Sequence, residues 1–344
     1  MNEENNNMLA YWLTNTSSLL FLLQRSIKAA SISRNKPPQP KSLFGRMVQG
    51  LHPASFANIQ HEANDEVIHE VEAKYPALLF KQQLTAFVEK IYGTVRDNMK
   101  RELSYLISLC VQAPQRMKAR NRIRRPSAPS VPDESQSNHW VKIIEGLDNL
   151  LIIVQDNHVP DSLAQNIFMQ IFTYINVQLF NSVLLRRECC SFSNGVYIRA
   201  GLADLESWCA KATTKYAASS WDELKHIRQA VGFLVIFQKF KISYDEIVND
   251  LCPILSVQQL YRICTQYWDD KYNTQSVSSD VLSNLRVVMT EDSKNPRSNS
   301  FLLDDNASIP FTVDDITNSQ QDFSDVRPAK ELLDNPDFEF LQDH

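Results

Sequence analysis

Two long segments of the chain carry apolar side chains at the spacing of a helix. From Met8 to about Ala30, apolar residues recur three and four positions apart, which places them on one stripe of a helix. A second segment with the same period begins at Pro76, a residue suited to a first helical turn, and extends to Cys110. The proline-rich residues 36–40 between the two segments predict a loop.

Helical periodicity is lost between residues 113 and 139 and then returns. The interruption is rich in Arg, Pro and Ser and poor in apolar residues, which predicts a surface loop without regular structure. Beyond it, the segment from Trp140 to Val154 has one apolar side. The segment from Leu163 to Leu185 is apolar on nearly all sides, which predicts a helix packed at the centre of the protein.

Three serines in the second half are each followed, three residues later, by Glu or Gln, which is the pattern of a capping box at a helix start. They are Ser220, Ser243 and Ser256, and each precedes an apolar run. Such closely spaced starts predict short antiparallel helices, followed by a last helix at 280–289. The segment 309–313 is expected to be extended, and apolar residues in the acidic segment beyond it could dock back on the body: Leu332, Leu333, Phe338, Phe340 and Leu341.

The composition favours an all-α fold and argues against nucleotide chemistry. Glycine accounts for only 7 of 344 residues, and no two of them form a G-x-G, so the dinucleotide fingerprint is absent. The closest approach to a phosphate loop, residues 45–50, continues with Leu51 and His52 where Lys and Ser or Thr are required. Scarce glycine also argues against β-sandwiches and barrels, whose tight turns need it.

The residues that usually carry catalysis or metal binding form no recognisable set. The histidines lack the i, i+4 pairing of a zinc helix, the six cysteines include no C-x-x-C, and there is no G-x-S-x-G. In a chain this long, the cysteines indicate buried free thiols in a reducing cytosol rather than a disulfide framework. We therefore expect no enzymatic activity, no cofactor and no metal site.

The net charge of -5 is distributed unevenly along the chain. Residues 301–344 are strongly acidic, whereas the basic excess lies in the interrupted segment. Because that segment lacks the interleaved aromatics that stack on bases, a solvated linker is favoured over a nucleic-acid contact. The sequence Arg-Arg-Pro-Ser at 124–127 resembles a basic-directed phosphorylation site, so phosphorylation of the loop stays open. The basic residues are Arg116, Lys118, Arg120, Arg122, Arg124 and Arg125.

Membrane insertion is not expected. The chain opens with acidic and amide side chains rather than the basic start of a signal peptide. The longest nearly uninterrupted apolar stretch, residues 19–23, is far shorter than the ~20 residues that span a bilayer.

Several contiguous strings, spread over nearly the whole chain, resemble one family. Residues 8–17 read MLAYWLTNTS, residues 42–47 read SLFGRM, and residues 71–84 read VEAKYPALLFKQQL. These resemble the globular tail of plant-type class XI myosins. Residues 186–195, RRECCSFSNG, and 205–209, LESWC, resemble the dilute (DIL) domain that this family shares with class V myosins.

The resemblance implies an elongated all-α rod of two packed helical-bundle subdomains, with the acidic C-terminal tail folding back on the first. We expect an N-terminal helical subdomain at 1–112, a basic disordered loop at 113–139, a dilute-domain bundle at 140–290 and an acidic extension at 291–344.

The resemblance also implies a cargo-binding role, in which the tail links an actin-based motor to organelles and vesicles. The implied partners are Rab-type small GTPases, receptor proteins on vesicles or organelles, and the myosin motor head, on which the tail can fold back. The implied location is cytoplasmic, at vesicle and organelle surfaces and on the actin cytoskeleton.

A partner-binding set follows from the fungal relatives, in which GTPase contacts cluster after the Phe-Ser-Asn-Gly turn and on a later helix. Matching Gly195 and the Trp-Cys pair at 208–209 places the corresponding positions at Tyr197, Ala200, Gly232 and Val235. Because two of these are small, nearby cations are the expected substitutes for a bulky or charged contact: Arg199, Lys225 and Arg228.

The fungal helix that contacts organelle receptors would match Phe80, Leu84, Phe87 and Lys90. Three of these four residues are apolar, so we expect core packing there and assign no site to them.

The 344 residues contain no phosphate loop, no repeated light-chain motif and no coiled coil. The chain is therefore expected to be either a fragment of a motor or a freestanding tail. A freestanding tail would act as a helical scaffold that competes with full-length myosins for receptors.

Overall fold

A computed structural model of the chain describes residues 4–34, 56–113, 139–270, 274–292, 301–319 and residue 336. The regular structure in these ranges is helical, and no β-strand occurs within them. The all-α prediction is confirmed.

The described part of the chain contains ten α-helices. Single-turn 3₁₀ segments lie at Arg187–Cys189 and Lys239–Lys241, and a π-helix spans Glu246–Leu251. The α-helices are α1 (Asn6–Arg34), α2 (Phe56–Cys110), α3 (His139–Asp156), α4 (Asp161–Leu185), α5 (Phe192–Tyr216), α6 (Ser220–Glu223), α7 (Lys225–Leu234), α8 (Val257–Gln266), α9 (Ser279–Asp292) and α10 (Val313–Ser319).

Helix α4 lies at the centre of the fold, as its sequence predicts. It contacts α2 on one side and α5, α6, α7 and α8 on the others. Phe168, Phe172 and Phe180 are fully buried along it. Within the described residues it is also the one helix long and apolar enough to cross a membrane, but most of that apolar stretch is buried inside the protein. Its hydrophobicity is therefore explained by core packing.

The N-terminal helices share their core with the rest of the fold. Helix α1 lies along α2, and α2 in turn packs on α3 and α4. The Thr14 hydroxyl donates a hydrogen bond of 2.7 Å to the carbonyl of Asn157, just beyond α3. Among the described residues, one hydrophobic cluster extends from Leu9 to Ile316. The proposed subdomains thus meet across a continuous apolar interface.

Helix α2 begins earlier than the sequence predicts. It spans Phe56–Cys110 and contains Pro76 in its interior, so the prediction that this proline stands in the first turn is wrong. A proline lacks an amide N–H and crowds the carbonyl four residues earlier, so position alone favoured a helix start. The observed end of the helix matches the prediction.

The three predicted capping boxes have three outcomes. Ser256 accepts from the Gln259 amide at 3.2 Å, and Gln259 accepts from the Ser256 amide at 2.9 Å, which confirms the box at α8. Ser243 and Glu246 form the same reciprocal bonds, but they open the π-helix. Ser220 is buried inside α6, and its hydroxyl has no hydrogen-bond partner among the described residues, so a cap there is wrong.

Helix α5 crosses α3 at very close range, which depends on one glycine. A Cβ atom added to Gly201 would lie 2.1 Å from the ring of Trp140. Any side chain there would force the two helices apart. This crossing fixes the direction of α5, and with it the direction in which its outer residues point.

The chain returns to the N-terminal half after α9, as predicted. Residues 301–312 run without regular structure, and α10 follows on the surface of α1. The ring of Phe311 packs edge-on against Tyr92 of α2, with centroids 4.8 Å apart. The Gln24 amide donates to Asp314 at 3.3 Å. Residues 114–138 and the apolar positions predicted to dock at 332–341 lie outside the described residues.

Candidate partner-binding surface

The seven residues selected from the sequence lie on two neighbouring elements. Three of them lie on the first two turns of α5, and the other four lie on α7 or directly after it. The two elements touch where a Cβ atom on Gly195 would lie 3.1 Å from Val235. Because Arg199 is one helical turn beyond Gly195, the fold brings it near the end of α7.

Helix α7 separates its buried and exposed residues sharply. Ile227, Ala230, Val231 and Leu234 face the core. The predicted residues Lys225, Arg228 and Gly232 are exposed on the opposite face, at spacings of three and four. Val235 continues this face one turn further and is half-buried.

The cations of this face are not committed to internal ion pairs in the described structure. The Arg228 guanidinium lies over the ring of Trp221, 4.3 Å from its centroid, and remains exposed. Lys225 is exposed at the first turn of α7. Both positive charges are therefore accessible to a partner.

The α5 residues divide into an outer pair and an inner one. Arg199 and Ala200 are exposed. Tyr197 is half-buried and packs against Trp140, with ring centroids 6.5 Å apart. Burial raises the pKa of Tyr197 to about 12. Its aromatic body thus belongs to the packing between α3 and α5, and the accessible part of the predicted set is formed by the other six residues.

Two exposed apolar residues at this place were missed by sequence reasoning. Val196 of α5 and Phe237, just after α7, have exposed fractions of 46% and 54%. The Phe237 ring stands perpendicular to that of Phe192 at 6.1 Å. The available signal was the run Val-Ile-Phe at 235–237, which continues past the end of a helix whose buried face is already complete. We call this region the α5–α7 surface: Val196, Arg199, Ala200, Lys225, Arg228, Gly232, Val235 and Phe237.

A buried lysine lies directly beside the α5–α7 surface. Lys239 is fully buried, donates to the carbonyl of Ile236 at 2.6 Å, and lies 4.0 Å from the ring centroid of Tyr267. Burial lowers the pKa of Lys239 to about 8. This lysine is held by the protein itself, in contrast to the cations of α7.

The described residues offer no arrangement for catalysis or metal binding. No group of His, Cys, Asp and Glu within them could hold a metal ion. Burial raises the pKa of the Cys110, Cys190, Cys252 and Cys264 thiols to about 12. Thiols held protonated in this way are poor nucleophiles, so these cysteines serve as small apolar core residues.

A second exposed apolar face lies on the N-terminal half of α2. Leu84 is buried, but Phe80 and Phe87 have exposed fractions of 44% and 55%. The expectation that all three pack in the core is therefore wrong for the two phenylalanines. The helical period alone could not identify which apolar positions would find a neighbouring helix.

Comparison with known proteins identifies the sequence relationship. Residues 166–271 match the DIL domain family and lie within the predicted 140–290 unit. Myosin-8 of Arabidopsis thaliana is 60% identical over 346 residues, covering 99% of this chain and 23% of the relative. The chain spans about a quarter of the length of the curated relatives it matches.

Solved structures with the same fold have much lower sequence identity. The yeast myosin 5 cargo-binding domain superposes with a TM-score of 0.62 at 16% identity, over 93% of this chain and 68% of that structure. Myo2-GTD in complex with Inp2 gives a TM-score of 0.63 at 15% identity, over 93% of this chain and 69% of that one. These likenesses establish the shared helical fold.

Proposed function

Since this chain belongs to the family of class XI myosin tails, we propose that it is a cargo-binding module that links an actin-based motor to vesicles and organelles. It binds Rab-type small GTPases and receptor proteins through its surface, and it attaches to membranes through those proteins. It acts in the cytoplasm, at organelle surfaces and on the actin cytoskeleton.

The α5–α7 surface is the observation that carries this proposal. Exposed Val196 and Phe237 lie beside half-buried Val235. Accessible cations flank them on both helices. Apolar anchors within a charged rim are typical of specific protein interfaces, in which aromatic and Arg residues contribute most of the binding energy. The charge of the rim favours a partner with an acidic contact region.

The solved relatives support binding to proteins. Myo2-GTD has been solved in complex with Smy1, with Mmr1 and with Inp2. We carry over to this chain only the property that the globular tail engages partner proteins. The choice of a Rab-type GTPase for the α5–α7 surface follows from the family resemblance.

We further propose that residues 1–112 and 140–290 are the two structural subdomains, joined by the basic segment 113–139 and followed by the acidic extension 291–344. The DIL match at 166–271 lies entirely in the second of them.

Substitution of Val235 tests the proposal. We expect Val235→Asp to weaken retention of GTP-loaded Rab-type GTPases in a pull-down by at least about tenfold, because it places a carboxylate in the apolar centre of the surface. Val287→Asp, at an exposed valine on α9, is the matched control and should bind as the wild type does. Equal retention of all three proteins would contradict the assignment.

Because Val235 contacts Gly195, its replacement also tests the folding of the α5–α7 contact. A second variant, Arg199→Glu with Arg228→Glu, changes only exposed side chains. It should lose GTPase binding while its circular dichroism and thermal unfolding match those of the wild type. Retained binding in this variant would refute the surface without ambiguity about folding.

A further inference from the structure

The segment that follows α9 is held by its neighbours in the manner of a bound peptide. Residues 301–312, which we call the strap, pass over α8, α4 and α2 in turn before α10 docks on α1. The residues that hold it come from three helices that are up to about 160 positions apart in sequence (Arg96 to Gln259). We call these contacting residues the cradle: Tyr92, Arg96, Lys100, Gln170, Tyr174, Asn181 and Gln259.

The cradle binds the main chain of the strap through side-chain amides and one guanidinium. Gln259 donates to the carbonyl of Phe301 at 2.9 Å, and Gln170 donates to the carbonyl of Ser308 at 2.7 Å. Between them, Asn181 donates to the carbonyl of Leu303 at 2.8 Å and accepts from its amide at 2.9 Å. Such contacts hold an extended backbone with little regard to its side chains.

Two side chains of the strap supply the specific contacts. The Asp305 carboxylate binds Lys100 Nζ through both oxygens, at 2.8 and 2.9 Å, and this lysine is buried against the ring of Tyr174. Six residues later, Phe311 is buried edge-on against Tyr92. The cradle therefore selects an extended segment with a carboxylate six residues before an aromatic ring.

The cradle continues beyond the strap into an open groove. The groove has a volume of about 670 Å³ and begins directly beside the Lys100–Asp305 ion pair. Its walls carry Ser104, Ser108 and the exposed Tyr105, whose ring is 69% accessible. Residues 304–308 of the strap are themselves exposed. A second peptide would thus find free polar and aromatic surface next to a part of the strap that is held at few points.

From these contacts we propose that the cradle is a peptide-binding site, that the strap is its intramolecular occupant, and that partner proteins insert an extended segment with a carboxylate six residues before an aromatic residue. The incoming segment first binds the open groove and then replaces the strap at Lys100 and Tyr92. Because the strap is tethered, it competes at a high effective concentration, and the site is closed until a partner of sufficient affinity arrives. This site is separate from the α5–α7 surface and does not depend on it.

A labelled synthetic peptide with the sequence of residues 301–313 is the probe. In fluorescence anisotropy with the full chain, we expect weak binding to the wild type. We expect at least about tenfold tighter binding to the double variant Asp305→Asn with Phe311→Ala, whose own strap competes less well. The same peptide carrying the two substitutions should bind both proteins at least about tenfold more weakly than the native peptide binds the variant.

Three results would overturn the proposal: equal affinity of the native peptide for both proteins, no binding to either, or equal affinity of the native and substituted peptides for the variant. If the double variant does not fold, as judged by circular dichroism, the single variant Asp305→Asn replaces it and should still bind the peptide more tightly than the wild type does. Adding Lys100→Gln to that variant should remove the gain. Retention of the gain would show that the peptide binds elsewhere. Failure of GTPase binding in Val235→Asp leaves these outcomes unaffected, since the two sites share no residue.

Discussion

The cradle and the α5–α7 surface use the same residue types for opposite purposes. In the cradle, Arg96 and Lys100 are buried and each is bonded to the strap. On the α5–α7 surface, Arg199, Lys225 and Arg228 are exposed. A buried cation that is paired stabilises the fold chiefly because its removal leaves buried acceptors without a donor, whereas an exposed cation contributes little to stability and remains available to a partner.

The largest difference between the two regions should appear in stability. We expect Arg96→Ala to lower the free energy of unfolding by about 3 kcal/mol, because the carbonyl of Ala307 and the side-chain oxygen of Gln170 both lose their charged donor. Arg199→Ala should change it by less than about 0.5 kcal/mol. Urea unfolding followed by circular dichroism measures both. Similar values for the two variants would remove the distinction between the regions.

Lys239 sharpens the comparison, since it is a buried cation beside the exposed ones. Its pKa of about 8 in the folded chain is below its ordinary value of 10.5. Between pH 8 and 10.5 the unfolded chain binds more protons than the folded chain, so this residue makes stability rise with pH there, by up to about 1.4 kcal/mol per pH unit. The buried thiols, with raised pKa values, act in the opposite direction above pH 9.

The measurement is therefore the difference between the wild type and Lys239→Met, in unfolding free energies taken at several pH values from 7 to 10. We expect that difference to grow in favour of the wild type as the pH rises. The exposed neighbour Lys241 supplies the control, because Lys241→Met should give a difference that does not change with pH. A flat difference for Lys239→Met would mean that this lysine is not desolvated.

The smallest effect is expected at Gly232. No atom lies within 4 Å of a Cβ added there, so Gly232→Ala removes the entropic cost of a helix-interior glycine without a clash. We expect it to raise the free energy of unfolding by about 0.5–1 kcal/mol. In a GTPase pull-down the same variant should bind less well if the partner approaches the α7 backbone closely at this position. Unchanged binding would show that the partner contacts the neighbouring side chains instead.

The elements with strong local patterns were predictable from sequence. The all-round apolar pattern of Leu163 to Leu185 predicted the central helix, and the Ser256 pattern predicted the cap of α8. Ser220 has the same pattern and no cap, because the chain there turns the hydroxyl into the core. Which of two chemically similar serines becomes a cap is decided by tertiary packing, which a local pattern does not contain.

The functional regions were only partly predictable for the same reason. The exposed face of α7 follows from its period, and the return of the acidic segment follows from the family resemblance. The contact of Arg96 with Ala307 joins residues 211 positions apart and has no local signal. Likewise, the exposure of Phe80 and Phe87 depends on which helices pack beside α2.

The order of the strap and its cradle along the chain has a kinetic consequence. Lys100 and Asp305 are separated by 205 residues, so their pairing closes a very long loop, and during synthesis the cradle is complete before the strap emerges. Strap docking is then expected to be a late event, with little of it formed in the folding transition state. Weakening it should accelerate unfolding while leaving the folding rate nearly unchanged. Thus the strap would act as a timer of the folded lifetime, set by the last part of the molecule to assemble.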